Sequence, residues 1–259
     1  MHFDMNVIAT TGRGIIDTLE GVGRTVVTLC QALGFLNQVL RYRVLILEQM
    51  LFVGVESLPV VSVVAIFAGM IVALQTGHEL ARFQLQGTIG NIVAASVCRE
   101  MGPVFAAIIV AGRVGSAMAA ELGTMKVSEE IDALEAMSIS PIRYLVMPRV
   151  VAMLIMLPIL TLYSDLIGML GGAMVGRLQI GVSYYAFYQR VVRNLEPKDI
   201  YIGVLKAAVF ALIISSIACS QGLQANAGAQ GVGRVTTRTV VFSLLFILIF
   251  NYFLTSIFY

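Results

Sequence analysis

The sequence is poor in charge. Of its 259 residues only 12% are Asp, Glu, Lys or Arg, about half the ~25% usual in a soluble domain. That scarcity excludes a water-exposed globule of this length. Lysine occurs only at 126, 198 and 206, after Met125, Pro197 and Leu205. No Gly-Lys dipeptide of a phosphate-binding P-loop therefore exists, and any ATP must be hydrolysed by a partner. No basic run of the kind that tracks nucleic-acid phosphates is present. Histidine is equally rare. His78-Glu79 is a fragment with no HExxH to complete it, so no metal site is expected. The cysteines, Cys30, Cys98 and Cys219, are far apart in apolar surroundings and read as small core residues. The opening MHFDMNVIATTGRG lacks the basic flank and compact apolar core of a cleaved signal peptide, so insertion is expected to rely on the first span. No nucleophile–base pair suggests an intramembrane enzyme.

What the chain has instead is apolar sequence: 58% hydrophobic residues and a mean hydropathy of +0.90. A helical span needs ~20 mostly apolar residues, and five such segments are legible, at about 58–77, 89–120, 146–176, 200–220 and 239–258. The expected class is thus an all-α integral membrane protein. Before the first span, Arg13 to Leu40 places Ile15, Ile16, Leu19, Val22, Val26, Leu29, Leu33 and Leu36 at helical spacing, with Asp17, Glu20, Arg24 and Gln31 opposite. That pattern predicts an amphipathic helix lying in the membrane interface. Residues 1–56 then form an N-terminal part and residues 57–259 the five-span domain. No fixed-period repeat is visible. The Gly-rich stretch QGLQANAGAQGVGRVTTR before span 5 reads as a loop. Ala111, Gly115, Ala119 and Gly123, and Gly168, Gly172 and Gly176, form small-residue faces for close helix packing.

Five spans put the termini on opposite sides. With the N-terminus inside, ten Lys and Arg fall on the cytoplasmic side and six outside, Lys206 among the latter. The positive-inside rule favours that orientation.

Two places carry unexplained charge. Arg99 and Glu100 lie inside span 2, directly before Gly102-Pro103. Charge at membrane depth costs at least ~2.5–3.5 kcal/mol, so the pair must face protein or a water-filled cavity. It reads either as an ion pair to another span or as the polar lining of a head-group cavity. The proline is expected to break the helix and free backbone carbonyls. The second place is KVSEEIDALEAMSISP, from Lys126 to Pro141. Ser128 is placed to cap a helix of about 128–141, with Glu129 and Glu130 in its first turn and Pro141 after its end. Such an acidic amphipathic helix between spans has the form of a docking element, and equally that of a solvated loop helix.

The run from Cys98 to Val150, CREMGPVFAAIIVAGRVGSAMAAELGTMKVSEEIDALEAMSISPIRYLVMPRV, closely resembles the central region of the MlaE-type permeases. These are the membrane subunits of the Mla (maintenance of lipid asymmetry) and related MCE-linked ABC transporters. GVGRVTTRTVV, before span 5, resembles the same family's C-terminal region. The resemblance covers about Arg13 to the C-terminus. It implies a homodimer on two cytoplasmic ABC ATPase subunits, which hold ATP and Mg, with a hexameric MCE-domain protein on the outer face and a STAS-domain protein on the ATPase. It implies a bacterial inner-membrane location, with the N-terminus cytoplasmic and the C-terminus periplasmic. It makes Glu129, Glu130, Asp132, Leu134, Glu135, Met137 and Pro141 the ATPase-coupling residues. It places phospholipid against Val72, Leu80, Phe83, Arg99, Glu100 and Met101. His78 and Glu79 stand where relatives are apolar. Two alternatives remain on the sequence: another lipid, such as a sterol, in the same machinery, or a membrane scaffold without a pathway.

Overall fold

The structure is a computed structural model that describes residue 21, residues 23–226 and residues 228–258. The portion of the N-terminal amphipathic segment before residue 21 lies outside the described residues. Helix α1 covers residues 23–34. A 3₁₀ segment, Leu36–Tyr42, leads to α2, Arg43–Val53. Five helical stretches are long and apolar enough to span a bilayer. They are α3 (Leu58–Arg82), α4 (Gln86–Val127), α6 (Ile142–Leu178), α8 (Pro197–Leu223) and α9 (Ala229–Phe258). Two short helices join them at opposite ends of the bundle, α5 (Glu130–Ala136) and α7 (Tyr184–Asn194). No strand occurs among the described residues.

The Gly-rich stretch before span 5 is mostly helix, because α8 runs to Leu223 and α9 starts at Ala229. Gly228, at φ +87°, makes the turn between them, and a Cβ on Gly231 would stand 2.2 Å from the Asn226 carbonyl oxygen. Two of this stretch's glycines thus serve one tight corner, and the expected long loop shrinks to it.

The first, second and third spans meet through small residues. A Cβ on Gly69 would lie 1.8 Å from the Gly168 carbonyl oxygen, and one on Gly172 would lie 2.7 Å from Val93 Cγ1. In lipid, where apolar burial drives little association, such backbone proximity is the source of contact energy. The main core joins Val110, Val114 and Met118 of α4 to Met153, Leu157 and Leu160 of α6 and to Phe210 and Ile214 of α8. Spans 3 and 4 are therefore central, while α3 and α9 carry broad exposed apolar faces, including Val63, Phe67 and Ile71 on one and Leu245, Leu248 and Phe253 on the other.

At the α5 end, Ala32 of α1 packs with Leu122, Ile131, Leu145 and Cys219. Cys30 on the same helix is exposed and so departs from the core role expected of it, while Cys98 and Cys219 are buried. An open groove of about 460 Å³ runs between α1 and the end of α8, lined by Arg24, Val27, Ser220 and Leu223 among others.

Candidate functional site

Arg99 and Glu100 do not pair with each other. Each reaches a different residue of α8. Arg99 donates from Nε and Nη2 to the two carboxylate oxygens of Asp199, at 2.8 and 3.1 Å. The Lys206 ammonium donates to Glu100 Oε1, to the Arg99 carbonyl and to Thr255 Oγ1, each at 2.8 Å. Asn251 Nδ2 donates to Glu100 Oε2 at 2.7 Å, and Thr255 Oγ1 lies 2.8 Å from Glu100 Oε1. A three-span polar network results, with α4 supplying one charge of each sign and α8 the complements.

Local sequence explains the register. Gly203 stands between Asp199 and Lys206, and a Cβ there would lie 2.6 Å from the Cys98 carbonyl oxygen. The glycine lets α8 touch α4. A turn to either side, Asp199 and Lys206 then fall within reach of Arg99 and Glu100. The expected break at Gly102-Pro103 is instead a wide π turn, Val97–Met101, inside a continuous helix. The Gly102 N–H bonds back to the Val97 carbonyl, which accommodates the proline ring without interrupting the span. Asp165 of α6 abuts the same turn. Its Oδ1 has no hydrogen-bond partner among the described residues, and a Cβ on Gly102 would lie 1.7 Å from that oxygen.

Burial divides the network. Lys206 and Asp199 are essentially inaccessible, whereas the Arg99 and Glu100 side chains keep 39% and 36% exposure. The α8 charges are thus internal anchors and the α4 charges present a surface. Lys206, tallied with the outside cations, lies within span 4 and is buried there. It sits nine residues past the start of α8, about 14 Å along the helix, in the half of the bundle nearer α7.

The other expected site residues lie elsewhere. Val72 and Leu80 pack around Ile89, Val93, Val97 and Phe187, in a cluster that does not include the charged network. Phe83 is exposed, whereas Met101 is half-buried and closes the π turn directly after Glu100. His78 Nδ1 lies 2.8 Å from the Leu74 carbonyl, and Glu79 pairs with Arg82. Sequence reasoning missed Asp199, Lys206, Asn251 and Thr255. A lysine within span 4 and the Asn251/Thr255 pair, four apart in span 5, were the available signals.

At the other end, α5 is shorter than expected. Ser128 does not cap it. Glu129, left-handed at φ +61°, is the N-cap residue, and the Ser128 hydroxyl donates to the Thr124 carbonyl and lies 2.9 Å from Glu130 Oε1. Pro141 opens the helical stretch of span 3, where its missing N–H costs nothing. Ile131 is the buried anchor of α5, while Glu129, Glu130, Asp132, Glu135 and Met137 are exposed and Leu134 is half-buried. Asp132 is held by Lys126 at 2.6 Å. Nearby, the buried Arg149 bridges to Glu121 at 2.7 Å, tying spans 2 and 3 at this end.

Charge held inside a helix bundle, near a rigid glycine crossing and far from an acidic end helix, has no use in a simple anchor. The architecture is that of a multi-pass membrane transport subunit. Residues 46–257 match the Permease MlaE family, and the chain belongs to it. A protein of Rickettsia felis named "Probable ABC transporter permease protein" is 41% identical, across 98% of both chains. The intermembrane phospholipid transport system permease protein MlaE of Haemophilus influenzae is 35% identical, across 98% of this chain and 97% of its own. The chloroplastic protein TRIGALACTOSYLDIACYLGLYCEROL 1 of Arabidopsis thaliana is 42% identical, across 82% of this chain and 61% of its own.

Proposed function

We propose that this chain is the permease of an ATP-driven transporter that moves phospholipid between the bacterial inner membrane and an MCE-domain partner, so maintaining outer-membrane lipid asymmetry. The observation that carries this reading is the half-exposed Arg99–Glu100 pair, anchored from behind by Asp199 and Lys206, in a chain whose Haemophilus relative is named for phospholipid transport. A zwitterionic head group needs one fixed charge of each sign, held so that neither collapses onto the other. The acyl chains need an apolar wall, because exposing them to water costs ~0.8 kcal/mol per CH₂. Val72, Leu80 and Phe83 supply such a wall. One copy does not enclose both surfaces, and a second copy against the exposed faces of α3 and α9 completes the cavity. ATP and Mg bind a cytoplasmic ATPase dimer that docks on α5 through Glu129, Glu130, Asp132, Leu134, Glu135 and Met137, with Pro141 bounding the segment. A STAS-domain protein on the ATPase completes the assembly, and the N-terminus is cytoplasmic. Photo-crosslinking residues at Leu80 and Phe83, in the complex purified with its partners, test the site. Capture of phospholipid, abolished by Val72→Trp, is expected. Capture of sterol alone, or of no lipid in a folded complex, overturns the reading.

A further inference from the structure

Helix α7 is unlike the spans it connects. Its contact face is narrow: Phe187 is buried beside Gly176, and a Cβ on Gly90 would lie 2.7 Å from the Phe187 carbonyl oxygen and 3.3 Å from Arg190 Cβ. Tyr184, Tyr188 and Val192, at successive helical turns, form a second face with Tyr185 beside them, and all four are more than half exposed. Gln189 and Arg193 occupy a third face. Among the described residues, Arg177, Arg190 and Arg193 have no ion-pair partner.

The level of this helix in the molecule is set by the chain. The Val182 N–H bonds the Gly176 carbonyl, so the start of α7 is folded back onto the last turn of span 3. Its end is two residues from Pro197, where span 4 begins. Both ends are therefore held at the boundary where spans stop, at the level of the exposed Leu178, which ends span 3, and Tyr201, in the first turns of span 4. Tyrosine rings have an apolar body and a polar tip, which suits that boundary. An amphipathic helix with arginines beside its aromatic face is the form that lies in the headgroup layer.

We propose that α7 is a membrane-interface helix, seating its Tyr184–Tyr188–Val192 face in the upper acyl layer, with Arg177, Arg190 and Arg193 set against anionic head groups. The occupant of this face is the bilayer itself, whatever cargo the bundle carries.

The chain has no tryptophan, so one introduced indole reports alone. Tyr188→Trp and Gln189→Trp are made separately in the full chain and reconstituted in nanodiscs. The indole at 188 is expected to emit blue-shifted, to resist iodide, and to be quenched by lipids brominated high in the acyl chain. The indole at 189 is expected to be the more open to iodide. Adding Arg190→Gln and Arg193→Gln to the Tyr188→Trp chain is expected to reduce the blue shift, most of all where phosphatidylglycerol is present. Water-like emission at 188 with no bromolipid quenching overturns the proposal. So does shielding that arises only when partner subunits are added, which would make the face a protein-docking surface.

Discussion

The Lys206 ammonium stands where the backbone N–H of Pro103 is missing. In a regular helix residue 103 would donate to the carbonyl of residue 99. Proline has no such donor, and Lys206 Nζ takes the Arg99 carbonyl at 2.8 Å instead. A side chain from span 4 thus completes the backbone of span 2, and it is the same side chain that neutralises Glu100.

That double duty makes Lys206 more costly to lose than a surface ion pair. Lys206→Ala is expected to destabilise the chain by about 1–3 kcal/mol, because Glu100 loses its counter-charge and keeps only Asn251 and Thr255 as donors, and the Arg99 carbonyl loses the Lys206 N–H. Lys206→Met with Glu100→Gln is expected to recover part of the loss, because no uncompensated charge remains. Thermal unfolding of the detergent-purified protein compares them, and a double variant less stable than Lys206→Ala would refute the account.

Gly203 should tolerate no side chain. A Cβ 2.6 Å from the Cys98 carbonyl oxygen must push α8 from α4 and lengthen both ion pairs. Gly203→Ala is expected to cost about 1–3 kcal/mol. Gly112→Ala, where nothing lies within 4 Å, is the control and is expected to be neutral or slightly stabilising in the same unfolding assay.

Charge reversal on α5 separates docking from a solvated helix. Glu130 and Glu135 are exposed and join no ion pair among the described residues, whereas Asp132 is held by Lys126. Glu130→Lys with Glu135→Lys is expected to reduce co-purification of the ATPase subunit while leaving the unfolding midpoint unchanged. Full recovery of the complex, with unaltered lipid-stimulated ATPase activity, would show that α5 is not the contact.

Orientation is read by reporters fused to each end. Five spans are expected to place the termini on opposite sides, and the arginine distribution favours the N-terminus inside. With Lys206 withdrawn into the bundle, the lysine and arginine balance shifts further toward that orientation. A cytoplasmic signal from the C-terminal fusion would contradict it.

The span count, the helical class and the acidic segment at 128–141 were legible in the chain itself. Length and hydropathy determine what can cross a bilayer, and a run of acidic residues between two apolar stretches has nowhere to go but the end of the bundle. Arg99 and Glu100 were likewise visible as an anomaly, because charge inside an apolar run violates a local rule. Their partners were not legible. Asp199 and Lys206 lie a hundred residues away, and their pairing depends on the crossing that Gly203 permits rather than on any pattern along the sequence. The completion of the backbone before Pro103 depends on the same contact, since the donor that the proline lacks is supplied by Lys206 of a neighbouring helix. Local chemistry therefore determined which segments enter the membrane and which residues must find a partner there. Tertiary packing alone decided who those partners are, and that two of the four charges remain at a surface.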